Sequence, residues 1–130
     1  MRCVITIKPM GKPRMTQRDV WKKRPCVMRY RAFCDDLRAR VVVPDDVAQL
    51  SWIAYLPMPK SWSKKKTDVM RGQPHRQRPD RDNIDKAILD ALFKDDSGVY
   101  SGHIEKRWDD GKGMRLEIEM TANKKEGEKK

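Results

Sequence analysis

Acidic residues bracket one short helical pattern in this chain, and no other feature limits its possible folds and chemistry more. The stretch from Arg78 to Tyr100 reads RPDRDNIDKAILDALFKDDSGVY. Within it, Ile84, Ile88, Leu89 and Leu92 recur at the three-and-four spacing of one buried helix face. Asp82 or Asn83 is suited to cap the start. After Phe93 the pattern stops, and Asp95-Asp96-Ser97-Gly98 has the composition of a tight turn. Five of the six aspartates in the stretch, Asp80, Asp82, Asp85, Asp95 and Asp96, sit near one end of the helix or the other.

Such clustering needs a reason, because the chain as a whole is strongly basic. Thirty Lys and Arg stand against nineteen Asp and Glu over 130 residues, a formal net charge of +11. A surface of that sign draws polyanions, of which nucleic acid is the commonest inside cells. The length and 38% hydrophobic content fit one domain with a modest core. No apolar run is long enough for a membrane span and the N-terminal residues lack a signal-peptide core, so a cytoplasmic protein with no membrane partner is expected. Cys3, Cys26 and Cys34 form no C-x-x-C pair and only two histidines are present, which argues against a zinc site or a disulfide framework.

Taken in order, Arg2 to Ile7 alternates as a short strand. Pro9, Gly11 and Pro13 end it, and the basic residues Lys8, Lys12, Arg14, Arg18, Lys22, Lys23 and Arg24 follow, with Trp21 among them. Cations beside an aromatic suit contact with phosphate and base, and equally suit a solvated loop over a buried indole. Pro25 fits the first position of a helix, where its missing N–H has no partner to lose. Val27, Tyr30, Cys34, Leu37 and Val41 give that helix one apolar stripe, opposite Arg29, Arg31, Arg38 and Arg40. Leu50, Trp52, Ala54 and Leu56 then alternate as a central strand.

From Pro57 to Pro79 no apolar period is sustained, which reads as a long basic loop carrying Lys60, Lys64, Lys65, Lys66, Arg71, Arg76 and Arg78. Ser61-Trp62-Ser63 is suited to begin a short helix, and Trp62 and His75 suit either base stacking or packing. Val99 to Trp108 reads as a strand and Met114 to Met120 as another, with Asp109 to Gly113 as a hairpin turn between them. The expected fold is α+β: a small mixed or antiparallel sheet of about four strands, two main helices and the long basic loop. One domain is expected over residues 1–121, with a charged, disordered tail over 122–130.

The acids can then be weighed as chemistry. Pro79 favours extended backbone before it, and an extended path through Asp82 would project Asp80 and Asp82 to the same side. Paired carboxylates repel unless a cation lies between them, and hard oxygen ligands select Mg²⁺ or Mn²⁺. A calcium loop is excluded, since Ile84, Asp85 and Ala91 occupy the positions where an EF-hand needs Asp or Asn, Gly and Glu. Lys86, one turn after Asp82, reaches the same face. Acids, a neighbouring lysine and basic loops are together what metal-assisted phosphodiester hydrolysis needs. Taken singly, each acid is more often a helix cap, a first-turn acid or a turn residue, but that reading explains less well why both ends of one helix carry acid pairs beside a basic loop.

The run RPDRDNIDKAILDAL, followed by DDSGV, resembles the signature of the RusA-type Holliday junction resolvases. PMPKSWSKKK and KPMGKPR resemble the phage-borne branch of that family. The resemblance implies an endodeoxyribonuclease that acts as a homodimer on branched, four-way DNA, making paired symmetrical nicks with Mg²⁺ or Mn²⁺ in recombination and repair. It assigns Asp80 and Asp82 to a metal-binding pair, Asp96 to a third catalytic acid and Lys86 to a lysine needed for cleavage. Asp95 could share the role of Asp96, while Asn83 and Asp90 match the signature and are as well explained as a cap and a structural residue. Lys12, Arg14, Lys60, Lys64, Lys65, Lys66, Arg76 and Arg78 are the expected DNA contacts. Only Phe93-Lys94 joins the helix to Asp95-Asp96, shorter than in some members, so the chain is expected to double back to bring Asp96 to the pair. A non-catalytic DNA- or RNA-binding module with the same fold is the alternative.

Overall fold

The computed structural model describes residues 1–14 and 24–123. Four strands, β1 (Arg2–Ile5), β2 (Val47–Leu56), β3 (Ile104–Trp108) and β4 (Arg115–Ala122), form one sheet in the order β1-β4-β2-β3. Helices α1 (Pro25–Arg40), α2 (Lys64–Met70) and α3 (Arg81–Leu92) lie between them in sequence. The fold is thus α+β with a mixed sheet. The expected contacts at Arg18, Trp21, Lys22 and Lys23, and the tail beyond Asn123, lie outside the described residues.

Period-two patterning decides which side of the sheet is covered. Leu50, Trp52, Ala54 and Leu56 of β2 and Leu116, Ile118 and Met120 of β4 are buried. They share one core with Tyr30, Phe33, Cys34 and Leu37 of α1 and Ile84, Ala87, Ile88 and Ala91 of α3. Pro25 stands at the helix start as its missing N–H allows. No helix of the described residues is long and apolar enough to cross a membrane. The cysteines are free, with Cys34 buried and Cys3 half-buried, and burial raises both thiols.

Three sequence expectations change. Asp109 to Gly113 is a turn but not a hairpin: β2 lies between β3 and β4, pairing parallel with the first and antiparallel with the second. The turn is stabilised by itself, Asp109 Oδ1 accepting from Gly111 N at 3.0 Å and Gly113 N at 2.8 Å, so the chain can cross the end of β2 without pairing its flanks. The strand expected over Val99 to Trp108 is regular only from Ile104, because its first half meets β2 through separate bonds such as Leu50 N to Ser101 O at 3.0 Å. Gly102 is needed there, since a Cβ would fall 1.7 Å from Leu50 O.

Within the long basic segment, α2 follows Ser61-Trp62-Ser63, which is suited to begin a short helix, and its first turn is capped by Ser63 Oγ accepting from Lys66 N at 3.1 Å. Lastly, α3 begins at Arg81, with Asp80 rather than Asp82 or Asn83 at its N-cap. The extended path through Asp82 is therefore replaced by a cap followed by the first helical turn.

Candidate active site

Two segments converge on the start of α3. The first is the strap after β1, laid over the helix by Lys12 N donating to Asn83 O at 3.0 Å. The approach is close: a Cβ on Gly11 would stand 3.1 Å from Pro79 Cβ and 3.2 Å from Asn83 Cβ. Glycine lets the strap lie flat, and Lys12 and Arg14 arrive beside Lys86. Lys12, Pro13, Arg14, Asn83 and Lys86 surround an open cleft of about 420 Å³.

The second segment runs from Gln73 to Asp80 along the free edge of β3. His75 N donates to Lys106 O at 3.1 Å, and Trp108 N donates to Gln73 O at 2.9 Å. Further on, Lys106 Nζ donates to Gln77 O at 2.6 Å and to Pro79 O at 2.7 Å. The Arg78–Pro79 peptide bond is cis. Burial lowers the Lys106 ammonium from its ordinary range, while attraction to Asp80 acts the other way.

The six aspartates separate by their partners. Asp80 is exposed, its carbonyl accepts from Ile84 N at 3.1 Å and its carboxylate makes no cap bond. Asp82, in the first turn, is also exposed, with Lys86 Nζ 3.9 Å from its Oδ2. Asp85 accepts from buried Trp52 Nε1 at 2.9 Å. Asp90 accepts from Tyr30 OH at 2.6 Å and pairs with Lys12 Nζ at 3.1 Å. The Tyr30 bond, then Lys12, hold the Asp90 carboxyl below its usual range, and burial with Asp90 pushes the Tyr30 hydroxyl up. Asp85 and Asp90 thus brace the helix against β2 and α1.

Asp95 and Asp96 are exposed in the turn beyond α3, where Asp95 Oδ1 accepts from Ser97 N at 3.0 Å and Asp96 O from Val99 N at 3.0 Å. The Ser97 amide holds the Asp95 carboxyl below its ordinary value. They stay at the far end of the helix: twelve residues of α3 intervene, about 18 Å at the usual rise. After Asp96 the chain meets the beginning of β2, with Tyr100 N on Ala48 O at 3.0 Å, and returns towards Asp80 only at Lys106. Among the described residues no three Asp, Glu, His or Cys side chains gather in a group that could hold a metal ion.

Donor chemistry nevertheless fits a hard cation at Asp80 and Asp82. Two exposed carboxylates, one free of any cap bond, are enough where water and phosphate oxygens complete the sphere, as Mg²⁺ prefers.

Around the acids, Lys60, Lys64, Lys65, Lys66, Arg76 and Arg78 are all exposed on the segment that leads into Asp80. Trp62 and His75 are used in packing. Their rings lie 4.8 Å and 4.2 Å from that of buried Trp108, and Lys66 Nζ stands 4.4 Å over Trp62. Burial, helped by Lys106, lowers the His75 pKa to about 4. Sequence reasoning missed Lys106, which sits in the strand IEKRW and has no motif to mark it.

The profile of the family described as endodeoxyribonuclease RusA matches residues 6–121. No curated protein and no solved structure matches the chain significantly.

Proposed function

The chain belongs to the RusA endodeoxyribonuclease family, and from that premise we propose that it resolves four-way DNA junctions by divalent-metal-dependent phosphodiester hydrolysis, as a homodimer. One observation carries this: the exposed pair Asp80 and Asp82 and the basic cleft of Lys12, Arg14 and Lys86 meet on the same first turns of α3. Acid to hold a cation and base to hold phosphate lie side by side, in a chain that is otherwise basic.

Asp80 and Asp82 would hold Mg²⁺ or Mn²⁺. When bound, the ion supplies a Lewis acid at the phosphoryl oxygen and a water of lowered pKa. Lys86 faces the cleft from the turn above Asp82 and offsets charge that builds on the phosphate. Arg14 and the Asn83 side of the cleft orient the phosphate; Lys12, shared with Asp90, contributes its remaining N–H groups. Lys60, Lys64, Lys65, Arg76 and Arg78 bind the DNA backbone further out.

The homodimer answers the position of Asp96. Within one chain α3 separates it from Asp80 and Asp82, and a two-fold partner whose α3 runs antiparallel would bring Asp96 of each chain to the acid pair of the other. A substrate with two-fold symmetry suits the same arrangement.

The direct experiment incubates the protein with a synthetic four-way junction, with and without Mg²⁺, beside Asp82→Asn. Nicking by the wild type only with metal, and binding without nicking by the variant, is the expected result. A wild type that binds the junction but never nicks it in Mg²⁺ or Mn²⁺ would reduce the protein to a binding module.

A further inference from the structure

Lys106 stands out because its contacts surround Asp80 without using the Asp80 carboxylate. It lies on the edge strand β3, opposite Ala54 in the parallel register. Its carbonyl accepts from His75 N at 3.1 Å, and its ammonium reaches along the same segment to Gln77 O at 2.6 Å and Pro79 O at 2.7 Å. The last three residues before Asp80 are thus held to the sheet by one side chain. On the other side, Ile84 N holds Asp80 O at 3.1 Å. Backbone is fixed before and after Asp80, and its carboxylate makes no cap bond.

The residue type is informative. Short bonds from an ammonium to neutral carbonyls are charge-assisted and stronger than those of an amide. Yet a half-buried cation beside Asp80 and Arg81 is an electrostatic burden at a site meant for a metal ion. A lysine in that place makes sense when geometry outweighs repulsion.

We propose that Lys106 is a positioning residue for the active site: its ammonium, bound to the carbonyls of Gln77 and Pro79, sets where the Asp80 carboxylate projects. The inference rests on the reading of Asp80 as a metal ligand. It touches neither DNA nor metal and acts through the backbone.

The test separates geometry from charge, because the two predict opposite signs. Removing a neighbouring cation by Lys106→Met should tighten metal binding if charge alone matters. If Lys106 positions Asp80, the same change weakens it. Mn²⁺ alone is titrated into the metal-free full chain by calorimetry, with amide exchange followed at Ile84, whose N–H reports on Asp80 O. Expected for Lys106→Met are Mn²⁺ affinity and kcat each down about tenfold or more, the usual loss for a partner that orients a ligand. Faster exchange at Ile84 and unchanged junction affinity should accompany them, with substantial recovery in Lys106→Arg.

Unchanged or tighter Mn²⁺ binding with unchanged kcat overturns the proposal, whatever happens to thermal stability. Should the Met variant not fold, Lys106→Gln, which keeps a neutral donor, is put through the same measurements. If Asp80→Asn itself binds Mn²⁺ like the wild type, the metal reading has failed instead. The Ile84 exchange then decides alone whether Lys106 holds the segment.

Discussion

Lys86 Nζ stands 3.9 Å from Asp82 Oδ2, one turn along the same helix, with both side chains more than half exposed. An exposed pair at that spacing stabilises a helix by at most about 0.5 kcal/mol. Stability therefore does not explain the pair. Lys86→Met should leave the melting temperature within about 1–2 °C of wild type, while slowing junction cleavage by about a hundredfold or more, the scale of losing a donor to transition-state charge. Equal cleavage by the variant and the wild type at saturating Mg²⁺ would remove Lys86 from the reaction.

Asp85 gives the reverse pattern. Its carboxylate accepts from Trp52 Nε1 at 2.9 Å, and Trp52 is only 1% exposed. Asp85→Ala strands that N–H and should destabilise the fold by about 1–3 kcal/mol, measured by denaturant midpoint. Cleavage per folded molecule should stay near wild type. A large loss of rate without loss of stability would place Asp85 in the active site instead.

Asp96 is tested by mixing. Asp82→Asn and Asp96→Asn proteins are each expected to be inactive, and random exchange makes about half the dimers mixed. If Asp96 serves its partner, each mixed dimer regains one whole site and the mixture nicks junctions on one strand. A mixture that stays inactive after exchange is shown by mass spectrometry would mean that Asp96 acts within its own chain, and an Asp96→Asn protein that cleaves like the wild type would remove it from the reaction.

What could be read from sequence divides along the range of the forces involved. The buried stripes of β2 and α1 depend on local periodicity, and Leu50, Trp52, Ala54, Leu56, Val27, Tyr30 and Leu37 are where alternation and helical spacing put them. Placement of β4 between β1 and β2 depends on long-range pairing, which a turn such as Asp109 to Gly113 does not encode. The acids are legible in sequence as a cluster, with Asp80 and Asp82 as the ligand pair and Asp85 and Asp90 on the structural side, but the partners of those last two are not. Asp85 and Asp90 are set apart by Trp52 and Tyr30, residues 33 and 60 positions away. Lys106 was invisible for the same reason: its partners are backbone carbonyls, which carry no sequence signal.

His75 makes the fold sensitive to acid. It is 6% exposed and packed at a tilt against Trp108, its Nδ1 has no hydrogen-bond partner among the described residues, and its folded pKa is lowered from the ordinary 6.5 to about 4. Below 6.5 the unfolded chain takes up a proton that the folded chain refuses. Its contribution to stability is therefore complete above pH 6.5 and is lost as pH falls from 6.5 towards 4, by roughly 3 kcal/mol at most. Denaturation at pH 7 and pH 4.5 should show His75→Phe losing less stability between the two than wild type. Parallel losses would mean that His75 is not the group responsible.

The basic residues of α2 are unequal for a structural reason. Lys66 lies over the Trp62 ring, 4.4 Å from its centroid, and Trp62 leans on Trp108, so this lysine helps fasten α2 to the sheet. Lys64 and Lys65 are exposed. If they contact phosphate, each releases counterions on binding, and neutralising one should reduce the slope of log affinity against log salt by about 0.9. Lys64→Gln with Lys65→Gln should thus flatten the slope by nearly 2 units and leave kcat at saturating junction unchanged. Lys66→Gln should instead lower the melting point, since a cation over an indole contributes about 0.5–1 kcal/mol. Fluorescence anisotropy with a labelled junction from low to physiological salt separates the two effects. An unchanged slope in the double variant would place the DNA elsewhere and leave the cleft of Lys12, Arg14 and Lys86 as its principal anchor.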